Sequence, residues 1–309
     1  MRIGFVGAGK AGCSFGKLIA EKRAMPGTSG INGGSGSDHD LCGISVSGYV
    51  SRTFSSAEYA AGLTGSRAFA SSSDFLDASD VIFLTVPDGA IAPVWDALRE
   101  LPGARGKLFC HMSGSLTSEL FGMSNENLYG SLHPALAIAN RETAWQGLAD
   151  AYYTYDGSDE AYNRIELLIT ALGLRVERIA AETKTLYHAA CVFASNLVCG
   201  LAYDAEKLLR ECGLSERFAS GAWKMLFAGN AQNIMQTDPV SALTGPAERG
   251  DAATIANHLA ALDALTGDAG KAMRDTYAAL TATLAEMAER RHPERDYAKI
   301  KEIVQKWAQ

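Results

Sequence analysis

A short apolar run, Ile3-Gly4-Phe5-Val6, leads directly into Gly7-Ala8-Gly9-Lys10-Ala11-Gly12, after which Phe15, Leu18 and Ile19 recur at helical spacing. A strand, a glycine turn and a helix in that order constrain the fold more than any other feature of this chain. The first glycine allows the tight turn, the second allows a backbone to approach a pyrophosphate, and the third lets helix and strand pack closely. The positive end of the helix then favours the anion. The context raises a common glycine pattern to a dinucleotide-binding fingerprint, with Gly7, Ala8, Gly9, Lys10, Ala11 and Gly12 as the expected cradle.

The pattern that follows is that of a doubly wound α/β sheet. Residues 24–40 are rich in Gly, Ser, Asn and Asp without periodicity and read as an exposed, mobile loop inserted before the second strand. Cys42 to Val50 alternates as a strand, Ala57 to Leu63 suits a helix, and Ala68 to Ala70 suits a third strand. Val81-Ile82-Phe83-Leu84-Thr85-Val86 is continuously apolar, as expected of a strand covered on both faces. Lys107 to His111, Tyr152 to Tyr155 and Leu174 to Arg178 supply further strands, with a helix over Asp159 to Leu172. From about residue 182 only helical spacing remains, so the division expected is 1–180 for a Rossmann-like domain and 181–309 for an all-α domain. Ala189 to Tyr203 is the most apolar later stretch; it contains Ser195 and Asn196, is shorter than a bilayer span, and reads as a buried helix.

The 309 residues exceed the size at which one core usually stops growing, and 47% hydrophobic with 20% charged residues is ample for two. A net charge of -7, with Lys and Arg scattered, argues against nucleic acid as a partner. The six cysteines form no C-x-x-C pair and have no histidine at zinc-ligand spacing, so no metal is expected and reduced thiols in the cytoplasm are the plain reading. The N-terminal apolar run is too short and broken for a signal peptide, and no membrane partner is expected.

Where NAD-binding sheets place an acidic residue after the second strand, this chain has Ser51-Arg52-Thr53. A guanidinium pairs with a 2′-phosphate, so NADP, with NADPH preferred over NADH, is the expected cofactor. Val86, Pro87 and Ser113 fall at strand ends on the edge where open α/β sheets bind ligands, and are candidate cofactor contacts. Asp88 there reads as a helix cap and His111 as a packed strand residue, whereas Ser113 and His133 are carried as candidates for substrate binding and catalysis. Along the first long helix Lys184, His188, Cys191 and Ser195 share a stripe, with Asn196 beside it. Burial would bring the Lys184 pKa down towards neutrality and make it usable for proton transfer, so Lys184 and His188 join His133 as catalytic candidates.

Taken together, Gly7 to Gly12, Val86-Pro87-Asp88, His111-Met112-Ser113-Gly114, Leu132-His133-Pro134, Lys184-x-x-Tyr187-His188-Ala189-Ala190, Ser195-Asn196 and Leu243-Thr244-Gly245-Pro246-x-x-Arg249-Gly250-Asp251 resemble bacterial proteins in which a Rossmann-like domain precedes a DUF2520 domain. The helical half is also similar to the dimerisation domain of pyrroline-5-carboxylate reductases and of β-hydroxyacid dehydrogenases, the 6-phosphogluconate dehydrogenase C-terminal type. That resemblance implies a homodimer through the helical domain and makes Thr244, Gly245, Pro246 and Arg249 candidate substrate contacts, with Asn196 and Ser113 holding polar groups. Lys184 resembles the proton-transfer lysine of the dehydrogenases, although its spacing to Asn196 departs from theirs. The function expected is hydride transfer between NADP and a small carbonyl or imine compound bearing a carboxylate. The alternative is an NADP-binding sensor or scaffold without redox turnover.

Overall fold

A computed structural model describes residues 1–24, 43–122 and 126–307. Residues 25–42, which hold nearly all of the expected inserted loop and the start of the expected Cys42 strand, lie outside the described residues. The chain forms two compact units, Met1–Ser195 and Asn196–Gln309.

In the first unit the elements run β1 (Arg2–Val6), α1 (Lys10–Ala24), β2 (Ser45–Val50), α2 (Phe54–Thr64), β3 (Arg67–Phe69), α3 (Ser72–Asp77), β4 (Val81–Leu84), α4 (Asp88–Arg99), β5 (Leu108–His111), β6 (Leu128–Pro134), α5 (Ala144–Asp150), β7 (Tyr152–Gly157), α6 (Asp159–Leu172), β8 (Arg175–Arg178) and α7 (Lys184–Phe193). The eight strands form one sheet in the order β3-β2-β1-β4-β5-β6-β7-β8. Every neighbouring pair is parallel except β6 with β7.

Alternation along the strands builds the two layers. Ile3, Phe5, Val81, Phe83, Leu108, Cys110 and Leu132 point to a core shared with Phe15, Leu18 and Ile19 of α1 and with Ile165 and Leu168 of α6. Val6, Ile82, Leu84 and Phe109 point to the other face, against Phe75, Ile91 and Trp95 of α3 and α4. A strand covered on both faces must be apolar at every position, which is why β4 was legible as an unbroken run. β6 was not expected as a strand: Gly130, Ser131, His133 and Pro134 break its apolar run, yet it pairs on both sides.

The second unit is helical among its described residues: α8 (Asn196–Glu211), α9 (Glu216–Gln236), α10 (Ala252–Asp263), α11 (Asp268–Arg291) and α12 (Ala298–Trp307). Ser215 caps α9 by accepting from the Phe218 amide, and Asp251 caps α10 by accepting from the Thr254 amide, both as the sequence predicts. Ile255, Leu259, Ala278, Ala285, Tyr297, Ile300 and Val304 form its core.

Two expectations need correction. The units divide after Ser195 rather than at 180/181, because α7 is fastened to the sheet by the contacts described below. The apolar stretch 189–203 is not one buried helix: α7 stops at Phe193, Asn196 opens α8, and α8 has no buried residue. The 31-residue span Ala181–Glu211, which takes in both helices, is long and apolar enough to cross a bilayer by length and composition alone. Leu186, Phe193, Leu201 and Tyr203 are all exposed there.

Candidate functional site

Each glycine of the fingerprint has a distinct structural reason. Gly7 has φ +103°, a region that costs any L side chain, and its N–H donates to Val50 O at 2.8 Å. At Gly12 a Cβ would lie 2.4 Å from Thr85 Oγ1 and 2.7 Å from Gly7 O, so helix α1 could not approach β4. Thr85 fixes that junction by donating to Gly7 O at 2.8 Å. Gly9 differs from both: a Cβ there would meet only Thr85 O, at an ordinary 3.6 Å. Among the described residues nothing requires glycine at position 9, so the backbone of this turn is open to an approaching group, a fit to the pyrophosphate expected above Gly7 to Gly12. Ser51 and Arg52 follow β2 on the same edge; Arg52 is exposed and makes no ion pair among the described residues.

The C-terminal ends of β4 and β5 bring in the next candidates. Val86 and Pro87 follow β4, and Pro87 occupies the cap position of α4. Asp88 is therefore not the cap that the sequence suggests. Its carboxylate instead accepts from Ser113 Oγ at 2.7 Å and Ser115 Oγ at 3.3 Å, tying the two loops together. Ser113 Oγ in turn accepts from the Leu116 amide at 3.1 Å. His111 is packed as expected, fully buried, and its ring is fixed from both sides: Nε2 donates to Thr117 O at 3.2 Å and Nδ1 accepts from the Ser113 amide at 3.2 Å.

Strands β6 and β7 meet helix α7 in a regular way. Register pairs Ser131 with Asp156 and His133 with Thr154, and the two-residue period puts all four on one face. On α7, Lys184 and Tyr187 are one turn apart. Lys184 Nζ donates to Ser131 Oγ and lies 3.5 Å from Asp156 Oδ2, with the lysine side chain 1% and the aspartate 7% exposed. One turn on, the Tyr187 hydroxyl meets His133 Nδ1 at 2.9 Å. Asp156 is also anchored from the far side, accepting from the Ser118 amide at 2.6 Å and from Ser118 Oγ at 3.2 Å. Thr154 Oγ1 is buried opposite His133 in the β6–β7 register.

His188, the next residue of the helix, stands across from His133 with ring centroids 6.0 Å apart and planes at 88°. Gly114 lies between them. A Cβ at Gly114 would sit 2.5 Å from His188 Cδ2 and 2.8 Å from His133 Nε2, so the two imidazoles close over a backbone that must be glycine. Burial, with the charge of Lys184 and the neighbouring His188, pulls the His133 pKa down to about 4. Burial and Lys184 bring His111 to about 4 as well. Burial also lowers Lys184, opposed by Asp156, and raises Tyr187 to about 12.

These depressed histidines predict an acid limb of stability. In the unfolded chain both protonate near 6.5, whereas folded they stay neutral down to about 4. Their contribution is complete above pH 6.5 and is lost as pH falls from 6.5 towards 4, by roughly 3 kcal/mol for each histidine. Denaturant midpoints measured from pH 8 to pH 4 should fall through that window, and His111→Asn should flatten the slope. A wild-type midpoint that stays level to pH 4 would show that neither ring is buried neutral.

The structure thus gathers Ser113, His133, Lys184 and His188 in the first unit, with the glycine cradle on the same sheet edge. Asn196 opens α8, and Thr244, Gly245, Pro246 and Arg249 lie between α9 and α10, in the second unit. Within that unit the loop is held firmly: Arg291 donates to Leu243 O at 2.8 Å and Tyr297 to Glu248 O at 2.9 Å. Sequence reasoning missed Ser131 and Asp156. A serine and an aspartate in separate segments carry no local signal, and only the β6–β7 register makes them neighbours.

Comparison with known proteins agrees with this architecture. Residues 151–284 match the family model described as domain of unknown function DUF2520. No curated protein matches the sequence. Among solved structures, protein TM1727 from Thermotoga maritima is similar at 25% identity and TM-score 0.67, over 94% of this chain and 99% of that one. An imine reductase from Myxococcus stipitatus in complex with NADP+ is similar at 17% identity and TM-score 0.56, over 98% of this chain and 100% of that one. A pyrroline carboxylate reductase from Plasmodium falciparum with NADP bound is similar at 11% identity and TM-score 0.51, over 100% and 98%. The chain thus combines a Rossmann-type sheet, with the Gly7 to Gly12 turn after its first strand, and a match to the DUF2520 family model over residues 151–284.

Proposed function

We propose that the protein is an NADP-dependent oxidoreductase acting on a small carbonyl or imine compound that carries a carboxylate. The observation that carries this reading is the shared edge: the Gly9 turn at the end of β1 and the His133–Gly114–His188 group at the ends of β5 and β6 both lie at the C-terminal ends of mutually parallel strands of one sheet. The NADP-bound neighbours of the same fold support the cofactor class. NADP would supply the hydride, held by Gly7 to Gly12 with Arg52 on its 2′-phosphate and Val86, Pro87 and Ser113 beside the nicotinamide.

The chain's own residues have three tasks. His133, neutral above about pH 4 and bonded to Tyr187, presents Nε2 to the cleft and exchanges a proton at the reacting heteroatom. His188 closes the opposite wall. Asp88 holds Ser113 and Ser115 so that the floor between them keeps its shape. On the family resemblance alone, Arg249, Thr244, Gly245, Pro246 and Asn196 are proposed as contacts for a carboxylate and for polar groups.

Calorimetric titration with NADPH and NADH tests the cofactor. Wild type should bind NADPH about tenfold or more tighter than NADH, and Arg52→Ala should remove that preference by weakening NADPH alone. Equal affinities in wild type would reject the role of Arg52, and no binding of either nucleotide would reject the oxidoreductase reading. Turnover is then sought among keto acids, imines and aldehydes; tight binding with none throughout would favour the sensor.

We also propose a cytoplasmic homodimer through the helical half. Leu197, Leu201 and Tyr203 on α8 and Phe218, Met225 and Leu226 on α9 are exposed in the single chain, more apolar surface than a monomer usually shows to water. Asp204, Glu206, Lys207 and Arg210 on the same α8 favour a protein partner over hydrocarbon. Sedimentation at micromolar concentration should give twice the chain mass; a monomer would remove the dimer.

A further inference from the structure

Lys184 is the obvious candidate for proton transfer by sequence, and the structure gives it a different position. Its ammonium is 1% exposed, donates to Ser131 and faces Asp156, which Ser118 holds in place through both carboxylate oxygens. A buried ion pair with its other polar partners satisfied is worth little as net stability but penalises any arrangement that separates its members. Ser131 also donates to Ser113 O at 3.5 Å, so the same cluster reaches the loop that carries Gly114.

We propose that Lys184, Asp156 and Ser131 form a buried clasp that holds α7 on β6 and β7 in the one register at which Tyr187 meets His133 and His188 faces it across Gly114. Lys184 is a positioning residue, acting through the histidines without touching substrate. The geometry carries this directly. Along the strand, Ser131 and His133 are two residues apart, about 6.6 Å; along the helix, Lys184 and Tyr187 are three apart, about 4.5 Å of rise. Only when both contacts form together is the helix fixed in translation and rotation, and a slip by one residue turns His188 about 100° away from the cleft.

The groups that face His133 are Lys184, Tyr187 and His188 from α7, Asp88 from α4, His111 from β5, and Asp156 with Thr154 from β7. Loss of the clasp therefore changes its surroundings in a measurable way. The role rests on the oxidoreductase reading only for its consequence in turnover.

The test is a double-mutant cycle on the full chain with Lys184→Met, Asp156→Asn and the pair together, read by denaturation and by NMR titration of the His133 imidazole. Lys184→Met alone leaves the Asp156 carboxylate buried without its cation and should fold poorly. The double variant, which buries no charge, should regain most of the lost stability. In that folded double variant the His133 ring resonances should broaden as the Tyr187 contact is lost, and this is the deciding readout, because loss of the Lys184 charge raises the His133 midpoint by itself. With a substrate in hand, kcat should fall about 100-fold with KM nearly unchanged. A folded double variant whose His133 ring resonances stay as sharp as in wild type would overturn the clasp, and doubly so if turnover is lost, since Lys184 would then be acting on substrate. If wild type binds no nucleotide, the oxidoreductase reading fails while the NMR comparison still decides the clasp.

Discussion

Gly114→Ala should fold and yet lose about 100-fold or more in turnover. The added Cβ lies 2.5 Å from His188 Cδ2 and 2.8 Å from His133 Nε2, closer than real Cβ contacts come. Both obstacles are side-chain ends, so the chain relieves the clash by moving the rings rather than the sheet. Overpacking of this kind costs about 1–3 kcal/mol in stability, which a two-unit protein of this size tolerates. A displacement of about 1 Å in a proton-transfer group, however, costs on the order of 100-fold in rate. The measurement is steady-state kinetics beside NADPH affinity: kcat should drop far more than NADPH affinity, because the added Cβ meets the two imidazoles and not the Gly7 to Gly12 turn. Unchanged kcat would show that the cleft at Gly114 is not where the chemistry takes place.

Gly12→Ala should act on the other half of the site and weaken cofactor binding. Here the new Cβ meets Thr85 Oγ1 at 2.4 Å and backbone Gly7 O at 2.7 Å. Gly7 has no freedom to yield, since its φ of +103° and its N–H bond to Val50 already fix the turn. Helix α1 must back away from β4, and the first-turn amides move with it. NADPH affinity should fall at least tenfold, and stability by about 1–3 kcal/mol. Gly9→Ala is the informative contrast, because its Cβ meets nothing closer than 3.6 Å among the described residues. It should leave the denaturation midpoint within about 0.5 kcal/mol of wild type while still weakening NADPH. If Gly9→Ala bound NADPH as wild type does, the cradle would not be where the pyrophosphate sits.

Sequence alone determined the features governed by local rules. The Gly7 to Gly12 turn has its positive φ and its close packing because only glycine meets both demands, and a reader of residues can see that. The unbroken apolar run of β4, the caps at Ser215 and Asp251, and the change to helical spacing after residue 182 are likewise properties of a few consecutive side chains. His133, Lys184 and His188 could be picked out as polar residues in apolar company, but not given roles. Lys184 looked like a proton donor, since burial lowers a lysine pKa wherever the lysine is.

Tertiary structure decided what those residues face. Strand β6 was hidden because Gly130, Ser131, His133 and Pro134 leave no continuous apolar run, and it is the pairing with β5 and β7 that makes it a strand. Asp156 and Ser131 became a site only through the antiparallel register that sets them opposite each other. Asp88 exchanged an expected cap for a bond to Ser113, because Pro87 took the cap position and the β5 loop lay within reach. The apolar face of α8 read as core by its composition, yet the single chain leaves it exposed. Periodicity reports that a face seeks cover, and only the arrangement of whole elements, in one chain or in two, says what provides it.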